Sequence, residues 1–219
     1  IVITKIGSSN SRDHTLFVTS YNKWFKEERS CIFQRFVFLP ILADMRISVF
    51  PKICSAIESG IIRKIQASRN LLDDWISKAD TPHRLFYKIT GVGSWFTITH
   101  RPPSFYREDK KSSSTRESSI AFASSEIRYR ALCILNSTLF YWFYQVRTNC
   151  RDFNPSDYKT FPVPESLQKE KMSEMGRELA QRLDESVMTV EVSHSKTGAI
   201  RYEQFRPRIS KPIINEIDS

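Results

Sequence analysis

An α+β fold, with a mixed or antiparallel sheet packed against helices, is predicted for this 219-residue chain by three observations. Apolar residues recur at helical spacing over residues 52–68 and 165–188 and run nearly all round residues 138–146. Segments rich in β-branched and aromatic residues flank turn residues over 84–100 and again over 189–205. The composition, 40% hydrophobic with 12% aromatic, supplies enough apolar surface for a core without metal or disulfide staples. One large domain, or one domain with an appendage, fits the length.

Taken in order, residues 1–6 are apolar and β-branched, 7–13 are turn-rich and 16–19 resume a β pattern, which predicts a hairpin. Residues 21–29 are polar around Trp24 and Phe25, and 31–38 form an aromatic-rich run suited to the edge of a neighbouring domain. Pro51 then precedes Ile53, Ile57, Ile61 and Ile65, whose four-residue spacing lays one stripe along a helix spanning 52–68. Residues 71–77 extend it or form a second short helix, which Asp80-Thr81-Pro82 ends.

Residues 84–90 and 94–100 flank Gly91-Val92-Gly93 and read as a hairpin. Residues 101–119 hold Pro102, Pro103, a serine run and five cations, and are expected to be a long mobile loop. A short buried strand over 120–123 leads to Ser124 or Ser125, either of which can cap a helix running to about Leu135. Asn136-Ser137 ends that helix and caps the apolar core helix 138–146. Asn154-Pro155 and Phe161-Pro162-Val163-Pro164 interrupt regular structure before an amphipathic helix over 165–188. Residues 189–192 and 199–205 make a final hairpin, and no internal repeat is visible.

Charge gives the first functional indication: 33 Lys and Arg against 24 Asp and Glu leave +9, which favours a polyanionic partner. The surplus is uneven. Residues 81–164 carry 12 basic and 6 acidic side chains, whereas residues 165–219 carry 9 and 10. Four cysteines without a C-x-x-C pair, beside four histidines, assemble no sequence-local zinc site and are expected as reduced thiols. No apolar run approaches the ~20 residues of a membrane span, so no membrane association and a cytoplasmic location are expected. The chain opens at Ile1 without Met and stops within the helix-like run 213–219, and so reads as a piece of a longer protein, truncated at its C-terminus.

The most distinctive block is Leu135-Asn136-Ser137-Thr138-Leu139-Phe140-Tyr141-Trp142, followed by Asn149, Arg151-Asp152-Phe153-Asn154, Asp157-Tyr158 and Phe161-Pro162. With Thr19-Ser20-Tyr21-Asn22-Lys23-Trp24, Pro51-Lys52-Ile53 and Lys211-Pro212-Ile213-Ile214-Asn215-Glu216-Ile217-Asp218, it resembles the TaqI-like specificity domain of gamma-type adenine-N6 DNA methyltransferases and type IIG restriction–modification enzymes. The resemblance implies a target-recognition-domain-like fold. It makes residues 1–48 the end of a methyltransferase domain and residues 49–219 the DNA target-recognition domain. Double-stranded DNA and the N-terminal methyltransferase domain of the same parent chain are then the partners. S-adenosylmethionine is implied for the parent, with or without an endonuclease, and no cofactor for this chain.

Read from the residues themselves, Leu139, Phe140, Trp142 and Phe143 belong to a helix that must be buried and hold the scaffold. Arg151 and Asn154 follow it in a turn-rich segment, where a guanidinium can meet phosphate or guanine and a carboxamide can meet adenine. Alternatively, Arg151 pairs with Asp152 or Asp157, and Asn154 caps a turn. The run Asn154-Pro155-Ser156-Asp157-Tyr158 lacks the second proline, and its aromatic comes one residue too late, to hold a flipped adenine as an Asn-Pro-Pro-Tyr motif does. Gly91-Val92-Gly93 lies between strands and cannot serve as a cofactor loop. Glu108-Asp109-Lys110 reads as a solvated charge run rather than a Mg²⁺ site, and His83 and His100 belong to no ordered triad. No catalytic and no metal-binding residue is therefore assigned, and the chain alone is expected to be inactive.

The DNA-binding candidates are Lys52, Arg84, Lys88 and Arg101 before the serine-rich stretch, Arg107, Lys110, Lys111 and Arg116 within it, and Arg147, Arg151, Asn154 and Lys159 after the core helix. Most would hold phosphates and a few would reach base edges. The competing reading is a basic protein–protein specificity or scaffolding module that meets an acidic partner.

Overall fold

The computed structural model describes residues 5–6, 16–41, 49–90, 98–194 and 198–219. The turn expected over 7–13, the Gly91-Val92-Gly93 turn with residues 94–97, and residues 195–197 of the final hairpin lie outside the described residues.

The fold is α+β, with antiparallel sheets. Strands β1 (Lys5–Ile6), β2 (Leu16–Val18) and β3 (Leu39–Ile41) form a small sheet, with a 3₁₀ segment, Lys26–Arg35, before β3. Helix α1 (Ala56–Gln66) follows. It starts later than the periodicity suggested because Ser55 caps it: the Ser55 Oγ accepts from the Glu58 N–H at 3.2 Å, and the Glu58 carboxylate accepts from the Ser55 N–H at 3.1 Å. The apolar stripe also needs correction. Ile57 is 77% exposed, while Ile62 and Ile65 are buried, because only the C-terminal half of α1 meets a partner.

Strand β4 (Arg84–Lys88) was expected to pair with residues 94–100, yet its ladder partner is β7 (Glu117–Ala121), in register from Arg84 opposite Ala121 to Lys88 opposite Glu117. Residues 98–100 contribute only a bridge, Thr99 to Phe86. Between them, the stretch expected as a mobile loop forms β5 (Phe105–Arg107) and β6 (Lys110–Ser112). These join β8 (Met188–His194) and β9 (Gly198–Gln204) in a four-stranded antiparallel sheet of order β6-β5-β9-β8. Besides its local partner β6, β5 pairs with β9, as in Tyr106 opposite Arg201, which lies far along the chain and beyond any local signal.

The body is helical. Helix α2 (Ser125–Asn136) is capped by Ser124, α3 (Thr138–Arg147) by Ser137, and the short α4 (Pro155–Lys159) follows Asn154. The amphipathic stretch then splits into a 3₁₀ turn, Glu165–Gln168, and α5 (Lys171–Glu185), and α6 (Lys211–Ile217) closes the chain. Phe122, Phe140, Phe153, Phe161, Leu132, Leu135, Leu179 and Leu183 are fully buried between these elements. Asn136 ties the end of α2 to residue 98: its Oδ1 accepts from the Ile98 N–H at 3.1 Å, and its Nδ2 donates to the carbonyls of Ile98 and Leu132 at 3.0 and 2.8 Å. Helices α2 and α5 approach so closely that a Cβ at Gly176 would stand 2.2 Å from the Tyr129 carbonyl oxygen. A smaller cluster of Val18, Ile53, Ile62 and Val146 fastens the N-terminal sheet to the body. Among the described residues no helix is long and apolar enough to cross a membrane.

Candidate nucleic-acid interface

The segment after α3 is a stack of backbone-determined turns. Asn149 Oδ1 accepts from the N–H groups of Arg151 and Asp152, at 2.9 and 3.2 Å, and Cys150 adopts a left-handed conformation with φ 58°. The Tyr144 hydroxyl donates to the Asp152 carbonyl at 3.0 Å. The Phe153 N–H then donates to the Ile89 carbonyl at 2.8 Å, and the Ile89 N–H donates to the Arg116 carbonyl at 2.7 Å. A bridge between Thr90 and Asp152 completes the lacing. Lys88, Arg116 and Arg151, from three separate parts of the chain, are thereby brought to one edge, and all three are exposed.

Two more candidates border this edge. Asn154 is exposed at the start of α4, where its N–H donates to Asp157 Oδ2 at 2.6 Å. Arg147 is half-buried with its guanidinium 4.7 Å from the centre of the Phe143 ring. Burial pulls the Arg147 pKa down, with Asp157 opposing, while burial pushes Asp157 up against the hydrogen bonds from Asn154 and the charge of Arg147. Burial likewise raises Glu117, with Lys88 opposing.

The remaining candidates lie elsewhere. Lys52 is a correction, because its ammonium is buried rather than offered to solvent. It donates to the Thr148 carbonyl, lies 3.6 Å from Cys150 Sγ and stands 5.0 Å from the Tyr21 ring centre, so it pins the turn from beneath. Arg84, at the far end of the β4–β7 ladder, pairs with Asp80 at 2.6 Å and with the Ser119 hydroxyl at 2.8 Å. It lines an open groove of about 730 Å³ together with Lys78 and Tyr158. Arg101 is held by Asp184 at 2.8 Å and Glu203 at 2.6 Å, and Lys159 by Asp73 at 3.0 Å. These three cations are committed to carboxylates. Arg107, Lys110 and Lys111 are exposed on the β5–β6 hairpin.

Sequence reasoning passed over Asn149 as a site residue, although an Asn two residues before a polar turn residue is a readable Asx-turn pattern. It also passed over Arg201, whose role depends on the distant β5–β9 pairing and so had no local signal. Among the described residues no group of three or more His, Cys, Asp or Glu side chains is placed to hold a metal ion. Compared with protein-family models, with curated proteins and with solved structures, the chain matches none.

Proposed function

We propose that this chain is the duplex-DNA recognition part of a site-specific adenine-N6 DNA methyltransferase or restriction–modification enzyme, with S-adenosylmethionine binding and methyl transfer residing in the rest of the parent protein. The observation that carries the reading is the lacing of Lys88, Arg116 and Arg151 into one exposed edge. Three exposed cations on backbone tied by hydrogen bonds, of which Lys88 has Glu117 opposite it, suit a phosphate backbone, which holds register while other groups read bases. The motif blocks around Leu135-Asn136-Ser137 and Lys211-Pro212-Ile213 support it further. A cytoplasmic location goes with it.

The test is duplex-DNA binding as a function of salt. Replacing Lys88, Arg116 and Arg151 by Gln should lower the log–log salt slope by about 0.9 for each phosphate that is no longer neutralised. The same change at Lys171, Arg177 and Arg182 on α5, each already paired with a glutamate, should leave the slope nearly unchanged. Equal losses from both sets, or binding to heparin as tight as to any duplex, would overturn the reading in favour of an acidic protein partner.

A further inference from the structure

Among its described residues the four-stranded sheet has no buried side chain. It joins the body through a narrow joint: Arg101 bridges Asp184 of α5 and Glu203 of β9, and the Arg206 N–H donates to the Ser186 hydroxyl at 3.1 Å. Its apolar face, Phe105, Val190, Val192, Ile200 and Tyr202, is only half-buried, so the sheet gains less from burial than the body does. What it holds out to solvent is a basic hairpin.

Within that hairpin, Arg107 stands opposite Lys110 across a two-residue turn whose residues, Glu108 and Asp109, have φ of 50° and 60°. Two left-handed residues in a two-residue connection make a type I′ turn, which keeps the pair of strands tightly twisted. Directly opposed residues project from the same face, so Arg107 and Lys110 share one face, and Tyr106, Lys111 and Arg201 share the other. The turn's own acids are directed toward β9. Asp109 lies 3.5 Å from Arg201, which in turn covers Tyr106 at 4.9 Å, and Glu108 lies against Gly198, where a Cβ would meet its Oε1 at 2.7 Å.

Lysines on an outer strand are commonly explained as a block against edge-to-edge pairing, and Lys110 and Lys111 on β6 fit that role. Arg107 does not. It lies on β5, which is paired on both sides, and a charge there protects no edge. We infer, resting on the DNA-recognition reading above, that the β6–β5 margin of this four-stranded sheet is laid against B-form DNA with its type I′ turn leading, Arg107 directed to a guanine edge in the major groove and Lys111 to the flanking phosphates. The major groove presents a different donor and acceptor pattern for each base pair whereas the minor groove mainly separates A·T from G·C, so an arginine that reads a guanine belongs in the major groove. The planar guanidinium matches the paired acceptors of guanine, whereas an ammonium is a point charge suited to phosphate.

The experiment uses the chain as it stands with a duplex pool of randomised core sequence, selected against unlabelled competitor DNA at fixed salt. The wild-type chain should enrich a motif containing a G·C pair. Arg107→Ala should cut discrimination at that pair about tenfold or more while preserving the rest of the motif. Arg107→Lys, which keeps the charge but not the fork, should show the same relaxation. Lys111→Gln should lower the salt slope by about 0.9 and leave the motif intact. An unchanged motif in Arg107→Ala, or an equal loss for every sequence with a flatter slope, overturns the assignment of Arg107 while leaving DNA binding by the chain standing. No duplex binding by the wild type overturns both.

Discussion

The helical body and the four-stranded sheet are built on opposite principles. In the body, α2, α3 and α5 enclose phenylalanines and leucines with no exposed surface, and edge-to-face ring pairs such as Phe140 with Phe161, at 5.2 Å, fill the space between them. In the sheet, every strand has hydrogen-bonded neighbours but no described side chain is buried, so pairing and a few ion pairs carry the structure. The contrast separates scaffold from reach: burial fixes the edge that carries Lys88, Arg116 and Arg151, and its absence leaves Arg107 and Lys110 exposed to solvent.

The largest expected effect tests that contrast in stability. Phe140→Ala should cost about 3–5 kcal/mol in urea unfolding, because a fully buried ring leaves a cavity that the surrounding helices cannot fill. Tyr202→Ala, half-exposed on β9, should cost about 1 kcal/mol. Similar losses at the two positions would mean that the sheet shares the body's core after all.

How much of this was readable in the sequence follows the same division. The body was legible: Ser124 and Ser137 cap the helices where a hydroxyl before an apolar run predicts, and Met172, Met175, Leu179 and Leu183 all turn inward at their helical spacing. Ile57 misled because a stripe shows which face can be buried, not how far along the helix a partner extends. The sheet was only half legible. The β8–β9 hairpin is local and was readable, but the pairing of β5 with β9 and of β4 with β7 spans intervening chain, so proline, serine and charge were read as a loop. Of the candidate cations, Lys88, Arg107, Lys110, Lys111, Arg116 and Arg151 are exposed as their charge predicts, whereas Arg84, Arg101, Arg147 and Lys159 are half-buried. The burial of Lys52 beneath the Thr148 carbonyl could not be read, since it needs residues 52 and 148 to be neighbours.

A smaller effect sharpens the comparison by strengthening the sheet alone. Glu108 and Asp109 both occupy the left-handed region, which costs a residue with a Cβ roughly 1–2 kcal/mol. Asn-Gly at these positions should relieve most of that, offset in part by the freedom glycine adds to the unfolded chain, for a net gain of about 1 kcal/mol. If the sheet opens independently of the body, the gain should appear as slower hydrogen exchange at the Glu108 N–H, which donates to the Ala199 carbonyl, with no change at the Phe153 N–H. Equal slowing at both amides would show that sheet and body unfold together.

The smallest effect concerns the joint between the two regions and its dependence on pH. His100 faces Asp184 at 3.0 Å, with Arg101 and Arg128 near enough to repel a second positive charge. Burial is the dominant influence and, helped by the two arginines, outweighs the attraction of Asp184, so the histidine pKa falls below its ordinary 6.5. A base with a depressed folded pKa is bound less tightly to its proton in the native state than in the unfolded one. Its contribution to stability is therefore complete above pH 6.5 and is lost as the pH falls through the folded pKa. Asp157 and Glu117, whose pKa values are raised by burial, act in the opposite sense, so the total pH profile cannot isolate the histidine. A paired comparison can. His100→Asn should show a smaller fall in melting temperature between neutral pH and pH 5 than the wild-type chain, and Asp184→Asn, which removes the one attraction favouring the charged ring, should shift the His100 imidazole titration seen by NMR to still lower pH. An identical fall in the wild-type chain and His100→Asn would place the acid sensitivity of the molecule away from the joint.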